Sequence, residues 1–261
     1  MIECIKNHLN TKCIGNNIIF EECMESTNTC AKKIAEENVM HGTVVATLRQ
    51  TAGRGRRGRN WISPEGNCYF SVLLRPDVCV ENVSMLTLVA ALSVAETIES
   101  LTGLDVGIKW PNDIVVNGKK LCGILTESSM DLNGLKYVVI GVGVNANQEM
   151  FDEEIEDMAT SLFLESRKRV DCAKLIAECL NCMEGMYETF IETEDMSMLM
   201  GVYNDLLVNK NKEVRIIDQE VWNGVALGIN EKGELLVKTL KGETISILAG
   251  EVSVRGLYGY I

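Results

Sequence analysis

A short arginine- and glycine-rich stretch is the part of the sequence best suited to chemistry. Residues 53–59 contain four arginines and three glycines, and Trp61 follows. Arginine carries a permanent charge on a planar fork that matches carboxylate and phosphate oxygens. Glycine lets the backbone approach a ligand closely, and a tryptophan face can stack on a base. This segment, residues 53–59, is called the arginine loop below; we expect it to be mobile when empty and ordered around an anion.

The overall charge limits which anions fit. The chain has 25 Lys and Arg against 37 Asp and Glu, a formal net charge of −12. Binding to DNA or to an anionic membrane needs a positive field, so neither is an expected partner. A small anion fits the local positive charge of the arginine loop better. An RNA-binding module that uses the Arg-Gly loop remains an alternative of a different class.

Further polar residues lie at the predicted ends of strands and helices. Residues 26–28, Ser-Thr-Asn, separate a predicted strand (18–23) from a predicted helix (29–37). Such residues are preferred N-caps, and they lie at the positive end of the helix dipole. Residues 109–113, Lys-Trp-Pro-Asn-Asp, form a turn between two short strands, and Asn117-Gly118 predicts a two-residue hairpin turn before Lys120.

These motifs, with residues 120–125 and 141–145, resemble in order and spacing the biotin protein ligases, also called biotin–acetyl-CoA-carboxylase ligases. The resemblance covers about residues 18–255. It implies ATP-dependent ligation of biotin to a lysine of biotin carboxyl carrier protein through biotinyl-5′-AMP, with Mg²⁺ accompanying ATP. A lipoate or octanoate ligase or transferase of related fold is the nearer alternative, but it gives no reason for the full arginine loop with Trp61.

The resemblance also implies roles for individual residues. The catalytic set is Arg54, Asp113 and Lys120. The biotin-binding set is Ser26, Thr27, Asn28, Gln50, Gly53, Arg54, Gly55, Arg56, Lys120 and Gly123. The ATP- and adenylate-binding set is Arg56, Arg57, Arg59, Trp61, Lys109, Asn112, Asp113, Asn145 and Arg255. Direct metal ligands are not assigned.

The fold that the resemblance implies is α+β. A catalytic domain like that of class II aminoacyl-tRNA synthetases, with a mixed sheet and helices, is expected over residues 1–209. A small SH3-like β-barrel is expected over residues 210–261, where short strands follow one another closely. The segment before residue 18 is too short for a DNA-binding winged helix, so we expect the monofunctional type. The strand near Lys136 is a candidate sheet edge, and edge pairing would give a homodimer.

Composition bears on location. The N-terminus lacks the pattern of a signal peptide, and no apolar run of the ~18 residues needed to span a membrane is evident. The ten cysteines are therefore expected to be reduced thiols in the cytoplasm. Cys179 and Cys182 form a CxxC pair inside a helical pattern, where core packing is the expected role.

Overall fold

The computed structural model describes residues 1–37, 39–132, 134–217 and 221–249, together with the backbone of residues 253–256. Its helices are α1 (Ile2–Lys6), α2 (Thr27–Ala35), α3 (Leu86–Thr102), α4 (Leu162–Ser166), α5 (Cys172–Thr193) and α6 (Met200–Leu206). Its strands are β1 (Ile18–Met24), β2 (Thr43–Gln50), β3 (Cys68–Leu74), β4 (Val106–Lys109), β5 (Asp113–Val116), β6 (Lys119–Asp131), β7 (Gly134–Val144), β8 (Glu213–Ile217), β9 (Val221–Ile229), β10 (Leu235–Thr239), β11 (Thr244–Ile247) and β12 (Ser253–Gly256).

The main sheet is mixed and has seven strands in the order β1-β2-β3-β7-β6-β5-β4. β1 and β2 are parallel, and the other neighbours are antiparallel. Successive side chains of a strand point to opposite faces. Val142 accordingly lies in the large core cluster with residues of α3 and α5, whereas Val139 packs in a second cluster with residues of α2. Gly141 and Gly143 alternate with Val142 and therefore face the α2 side.

Most residues of helix α3 are buried, and this helix accounts for a difference from the sequence-based expectation about membrane spans. The segment Val80–Thr102, 23 residues, is long and apolar enough to cross a membrane by length and composition alone. However, 72% of its most apolar window is buried inside the protein. We interpret α3 as a core helix, and it ends where Gly103 adopts the left-handed conformation of a helix C-cap.

The strand near Lys136, a predicted sheet edge, is β7, which lies between β3 and β6. Its pairing with β3 runs only from Val138 to Val144, whereas its pairing with β6 begins at Gly134. The first residues of β7, Lys136 among them, therefore extend past β3 and have one strand neighbour within the described residues, so the prediction holds for this end of β7 only. The nearly continuous apolar sequence of β7 reflects burial on both faces. Within the described residues, the edges of the main sheet are β1 and β4.

The C-terminal strands form a separate antiparallel sheet in the order β11-β10-β9-β8-β12. The turn between β9 and β10 contacts the rest of the protein: the Met196 amide donates to the Glu231 carbonyl at 2.7 Å, and Trp110 Nε1 donates to the Gly233 carbonyl at 3.2 Å. An α+β unit with a mixed sheet, followed by a small antiparallel sheet, is the predicted fold class.

Candidate functional site

One cavity of about 620 Å³ lies on the α2 side of the main sheet. It is formed by the N-terminus of α2, the arginine loop, the β4–β5 turn, strands β6 and β7, and the segment after β7. Most of the predicted site residues line it: Ser26, Thr27, Asn28, Gln50, Arg54, Gly55, Arg56, Arg57, Arg59, Trp61, Lys109, Asn112, Asp113, Lys120, Gly123 and Asn145. The fold therefore brings together residues that are more than 100 positions apart in the sequence.

Part of the cavity floor is glycine backbone. Gly123 of β6 and Gly143 of β7 are cross-strand partners. The indole of Trp61 lies on them: a Cβ added to Gly143 would be 2.6 Å from Trp61 Nε1, and one added to Gly123 would be 3.0 Å from the ring. Trp61 Nε1 is buried and has no hydrogen-bond partner among the described residues. The indole thus covers the glycine pair in this structure.

The N-terminus of α2 forms the polar end of the cavity. Ser26 is the N-cap and accepts a long hydrogen bond from the Thr29 amide, as predicted. The Thr27 amide donates to Gln50 Oε1 at 2.9 Å, and Gln50 Nε2 donates to Ser63 Oγ at 2.9 Å. These bonds fix Gln50 between α2 and the base of the arginine loop.

The arginine loop is closed at its base and reaches the β4–β5 turn at its tip. Arg54 and Asn60 form an isolated antiparallel bridge. Arg56 Nη1 donates to Asn112 Oδ1 at 2.7 Å, and Asn112 Nδ2 donates to the Ile124 carbonyl at 2.9 Å. Burial lowers the pKa of the Arg56 guanidinium, and the charge of Asp113 opposes that effect. Asn112 therefore holds a partly desolvated cation at the cavity wall.

The β5–β6 hairpin carries Lys120, a further charged group of the site. Its two-residue turn has positive φ at Asn117 and Gly118, as its type requires. The hairpin places Lys120 Nζ 2.6 Å from Asp113 Oδ1. Lys120 Nζ also lies 5.2 Å from the centroid of the Trp61 ring. An ammonium, a carboxylate and an indole thus meet at the cavity floor.

One predicted site residue is not part of the described lining, and another has no described side chain. Gly53 lies behind the lining, where a Cβ would be 2.4 Å from the Trp61 carbonyl oxygen. Arg255 is in β12, of which only the backbone is described, so its side chain lies outside the described residues. The Asn145 side chain, in contrast, is buried in the wall and donates from Nδ2 to the Thr160 carbonyl at 3.0 Å.

Sequence reasoning missed a part of the wall after β7. Phe151, Asp152, Ile155, Met158 and Ala159 line the cavity, but this segment looks acidic and irregular in sequence. The apolar residues that lie between its acidic residues were the sequence signal that could have indicated a place in the cavity wall. The segment is tied to the hairpin because the Lys120 amide donates to the Met158 carbonyl at 2.7 Å.

Comparison with known proteins finds a matching protein family for each of the two parts of the chain. Residues 20–145 match the biotin/lipoate A/B protein ligase family, and residues 211–255 match the biotin protein ligase C-terminal domain. The chain is 38% identical over 243 residues to the bifunctional ligase/repressor BirA of Bacillus spizizenii, covering 91% of this chain and 74% of that protein. It is 30% identical over 216 residues to a biotin–[acetyl-CoA-carboxylase] ligase of Mycobacterium tuberculosis, covering 81% of this chain and 78% of that protein.

A solved structure extends this similarity to three dimensions. The biotin protein ligase of Aquifex aeolicus in complex with biotin and ATP superposes with a TM-score of 0.83 at 34% identity, covering 92% of this chain and 99% of that one. The sequence-based prediction of family, fold class and enzyme class is confirmed. The chain belongs to the biotin protein ligase family of enzymes.

Proposed function

We propose that this protein ligates biotin to a lysine of biotin carboxyl carrier protein in two steps through biotinyl-5′-AMP. The observation that carries the proposal is the cavity, where guanidinium and ammonium groups meet a polar pocket with a glycine floor. Biotin presents a compact bicyclic ring and a carboxylate. The ring fits between the polar end at Ser26, Thr27, Asn28 and Gln50 and the glycine floor at Gly123, with Gly53 and Gly55 shaping the loop around it.

In the first step the biotin carboxylate attacks the α-phosphate of ATP and pyrophosphate leaves. Carboxylate and triphosphate repel each other, so cations must screen both during the attack. Arg54, Arg56 and Lys120 are proposed for that role, because their side chains line the same cavity. The mixed anhydride hydrolyses readily, and closure of the arginine loop over it would exclude water.

The nucleotide is proposed to occupy the part of the cavity nearer the β4–β5 turn. Arg57, Arg59, Lys109, Asn112 and Asn145 are the proposed contacts. Trp61 and Arg255 complete the proposed set. Trp61 is proposed to stack on adenine; its indole lies on the glycine floor in this structure, so it must lift away first. Mg²⁺ is proposed to arrive on the ATP phosphates, since such ions usually keep several waters, and the carboxylates of the described lining are those of Asp113 and Asp152.

In the second step the carrier lysine attacks the acyl carbon and AMP leaves. A lysine has a reference pKa of about 10.4, so it must lose a proton first. Asp113 is the proposed group that orients this amine or accepts its proton. The same proposal includes a carrier protein partner, a cytoplasmic location and a homodimer. The homodimer is tested by measuring the molecular mass over a range of protein concentrations, with and without biotin.

The experiment is biotin-dependent pyrophosphate release from MgATP, with lipoate and octanoate in parallel. We expect pyrophosphate release with biotin and MgATP in the absence of carrier protein. When carrier protein is added, we expect labelled biotin to become attached to it. The matched control is Lys12→Met, which removes an exposed ion pair between Lys12 and Glu188 and should leave the rate unchanged. Release with lipoate or octanoate but not with biotin would overturn the proposal.

A further inference from the structure

A chain of polar side chains lies directly behind the polar end of the cavity. Lys32 of α2 pairs with Glu127 of β6, Nζ to Oε1, at 2.5 Å. Glu127 Oε2 accepts from Asn28 Nδ2 at 2.8 Å, and Asn28 Oδ1 accepts from Ser71 Oγ at 2.7 Å. Of these four residues only Asn28 lines the cavity. The chain therefore links an ion pair outside the cavity to one side chain in its wall.

Asn28 has no room to move. It is 4% exposed, and Ser71 beside it is fully buried. Gly141 lies against it, and a Cβ added there would be 2.0 Å from Asn28 Oδ1. Because interiors are close-packed, the side chain keeps one position, and only the direction of its amide needs to be fixed.

The hydrogen bonds fix that direction. An amide nitrogen carries two hydrogens, and its oxygen has two lone pairs. The Leu125 carbonyl takes one hydrogen at 3.2 Å and Glu127 takes the other. Ser71 occupies one lone pair of Asn28 Oδ1. The capacity that remains on the amide is therefore that of an acceptor. A reversed amide would turn its oxygen towards two acceptor oxygens and lose both bonds.

Glu127 is suited to this task because it is charged. Burial opposes its ionisation, but hydrogen bonds from Lys32 and Asn28 hold the pKa of Glu127 below its ordinary value. A carboxylate accepts hydrogen bonds and cannot donate one. It can therefore pair only with the NH₂ group of Asn28. A neutral amide in its place could pair with either the nitrogen or the oxygen of the Asn28 amide.

We propose that Glu127, held by Lys32, is a positioning residue that fixes the Asn28 amide as an acceptor for an N–H group of the substrate. This rests on the proposed function, in which the substrate is biotin and the N–H belongs to its ureido ring. The dithiolane ring of lipoate has no N–H and would leave that acceptor unused. The same arrangement therefore favours biotin over lipoate.

The test is a double-mutant cycle between Glu127→Gln and Asn28→Ala, read as the KM for biotin in pyrophosphate release. We expect Glu127→Gln alone to raise the KM for biotin by about tenfold, the scale of one lost hydrogen bond to a ligand. The kcat and the KM for ATP should stay within about twofold, because the lost bond is made to biotin alone. In the Asn28→Ala background, Glu127→Gln should have no further effect, because Glu127 acts through Asn28.

Lys32→Met should raise the KM for biotin in the same direction by a smaller factor, with Lys12→Met as the matched ion-pair control. If Glu127→Gln shows no thermal unfolding transition and so does not fold, Lys32→Met takes its place in the double-mutant cycle. An unchanged KM for biotin, an effect that adds fully to that of Asn28→Ala, or equal losses for biotin and ATP would overturn the inference. A wild-type protein without biotin-dependent pyrophosphate release would overturn the proposed function as well.

Discussion

The ion pair between Lys120 and Asp113 joins residues proposed for different halves of the reaction. Lys120→Met should slow adenylate formation by about 10²–10³-fold, the usual cost of removing one group that stabilises developing negative charge. Asp113→Ala should slow transfer from synthetic biotinyl-AMP to carrier protein by about 10²-fold, as expected for loss of a general base. Single-turnover measurements of each half-reaction separate the two effects.

A different result for Asp113 would reassign it. Normal transfer in Asp113→Ala, with adenylation alone impaired, would place this carboxylate on the nucleotide or metal side of the site. The distance of 2.6 Å between the two charged groups makes some effect of each substitution on the other partner unavoidable, so the double variant should be less than additive.

The glycine floor gives a second prediction at the scale of one residue. Gly143→Ala should weaken biotin binding by about 1–3 kcal/mol, because the new methyl group would occupy part of the glycine floor on which the biotin ring is proposed to lie. The matched control is Gly185→Ala in α5, where an added Cβ has no heavy atom within 4 Å in the described structure. Calorimetric titration with biotin checks both; equal affinities for the two variants would contradict the prediction.

At the scale of one element, the β5–β6 hairpin couples turn geometry to activity. Gly118 has a φ of 76°, where an L-residue is strained by about 1–2 kcal/mol. Gly118→Ala should lower stability by that amount and also lower the rate of adenylation, because the hairpin carries both Asp113 and Lys120. Gly242, with a φ of 89° in the β10–β11 turn, is the control.

Gly242→Ala should cost similar stability at an unchanged adenylation rate. Chemical denaturation and pyrophosphate release, measured on both variants at one temperature, provide the comparison. A loss of activity that simply follows stability in both variants would show that the hairpin turn has no specific role.

One carboxylate of helix α5 binds three consecutive amides of the N-terminal segment. Glu184 Oε1 accepts from the amides of Cys13 and Ile14, each at 2.8 Å, and Oε2 accepts from the Lys12 amide. Burial opposes ionisation, but these backbone donors lower the pKa of Glu184. Glu184→Gln should cost about 2 kcal/mol at neutral pH, the scale of hydrogen bonds to a charged group.

The sign of the pH dependence follows from the lowered pKa. The stability that Glu184 contributes is fully present above its unfolded value of about 4.3 and is lost as pH falls through the folded value. The difference in unfolding free energy between wild type and Glu184→Gln should therefore narrow below about pH 4. A constant difference from pH 7 to pH 3 would contradict this account.

Local elements were predictable from sequence where one short pattern determines them. Ser26 indicated the cap of α2, and Asn117-Gly118 predicted the hairpin turn. Strand order was not accessible from such patterns. The extension of β6 to Asp131 and the contact of Glu127 with Asn28, 99 residues apart, depend on which strands become neighbours. For the same reason the sequence could not show that only the first residues of β7, near Lys136, extend past β3.

At the scale of the whole molecule, the two sheets share one core. The large hydrophobic cluster contains Ile108 and Trp110 of the main unit together with Ala226 and Ile229 of the C-terminal sheet. We therefore predict a single calorimetric unfolding transition. Ile229→Ala should cost about 2–5 kcal/mol and lower that one transition by roughly 5–15 °C. A second, separate transition would contradict the shared core.

The bare floor has a consequence for redesign of the enzyme. A pocket lined by side chains can be enlarged by substituting smaller residues, but Gly123, Gly141 and Gly143 have no side chain to shorten. Every substitution there makes the cavity shallower, so larger acids cannot be admitted from below. An engineered change of substrate therefore has to use the side chains around these glycines, such as Asn28, Trp61 and Leu125, and inhibitors meet the same restriction because added bulk cannot extend below the floor.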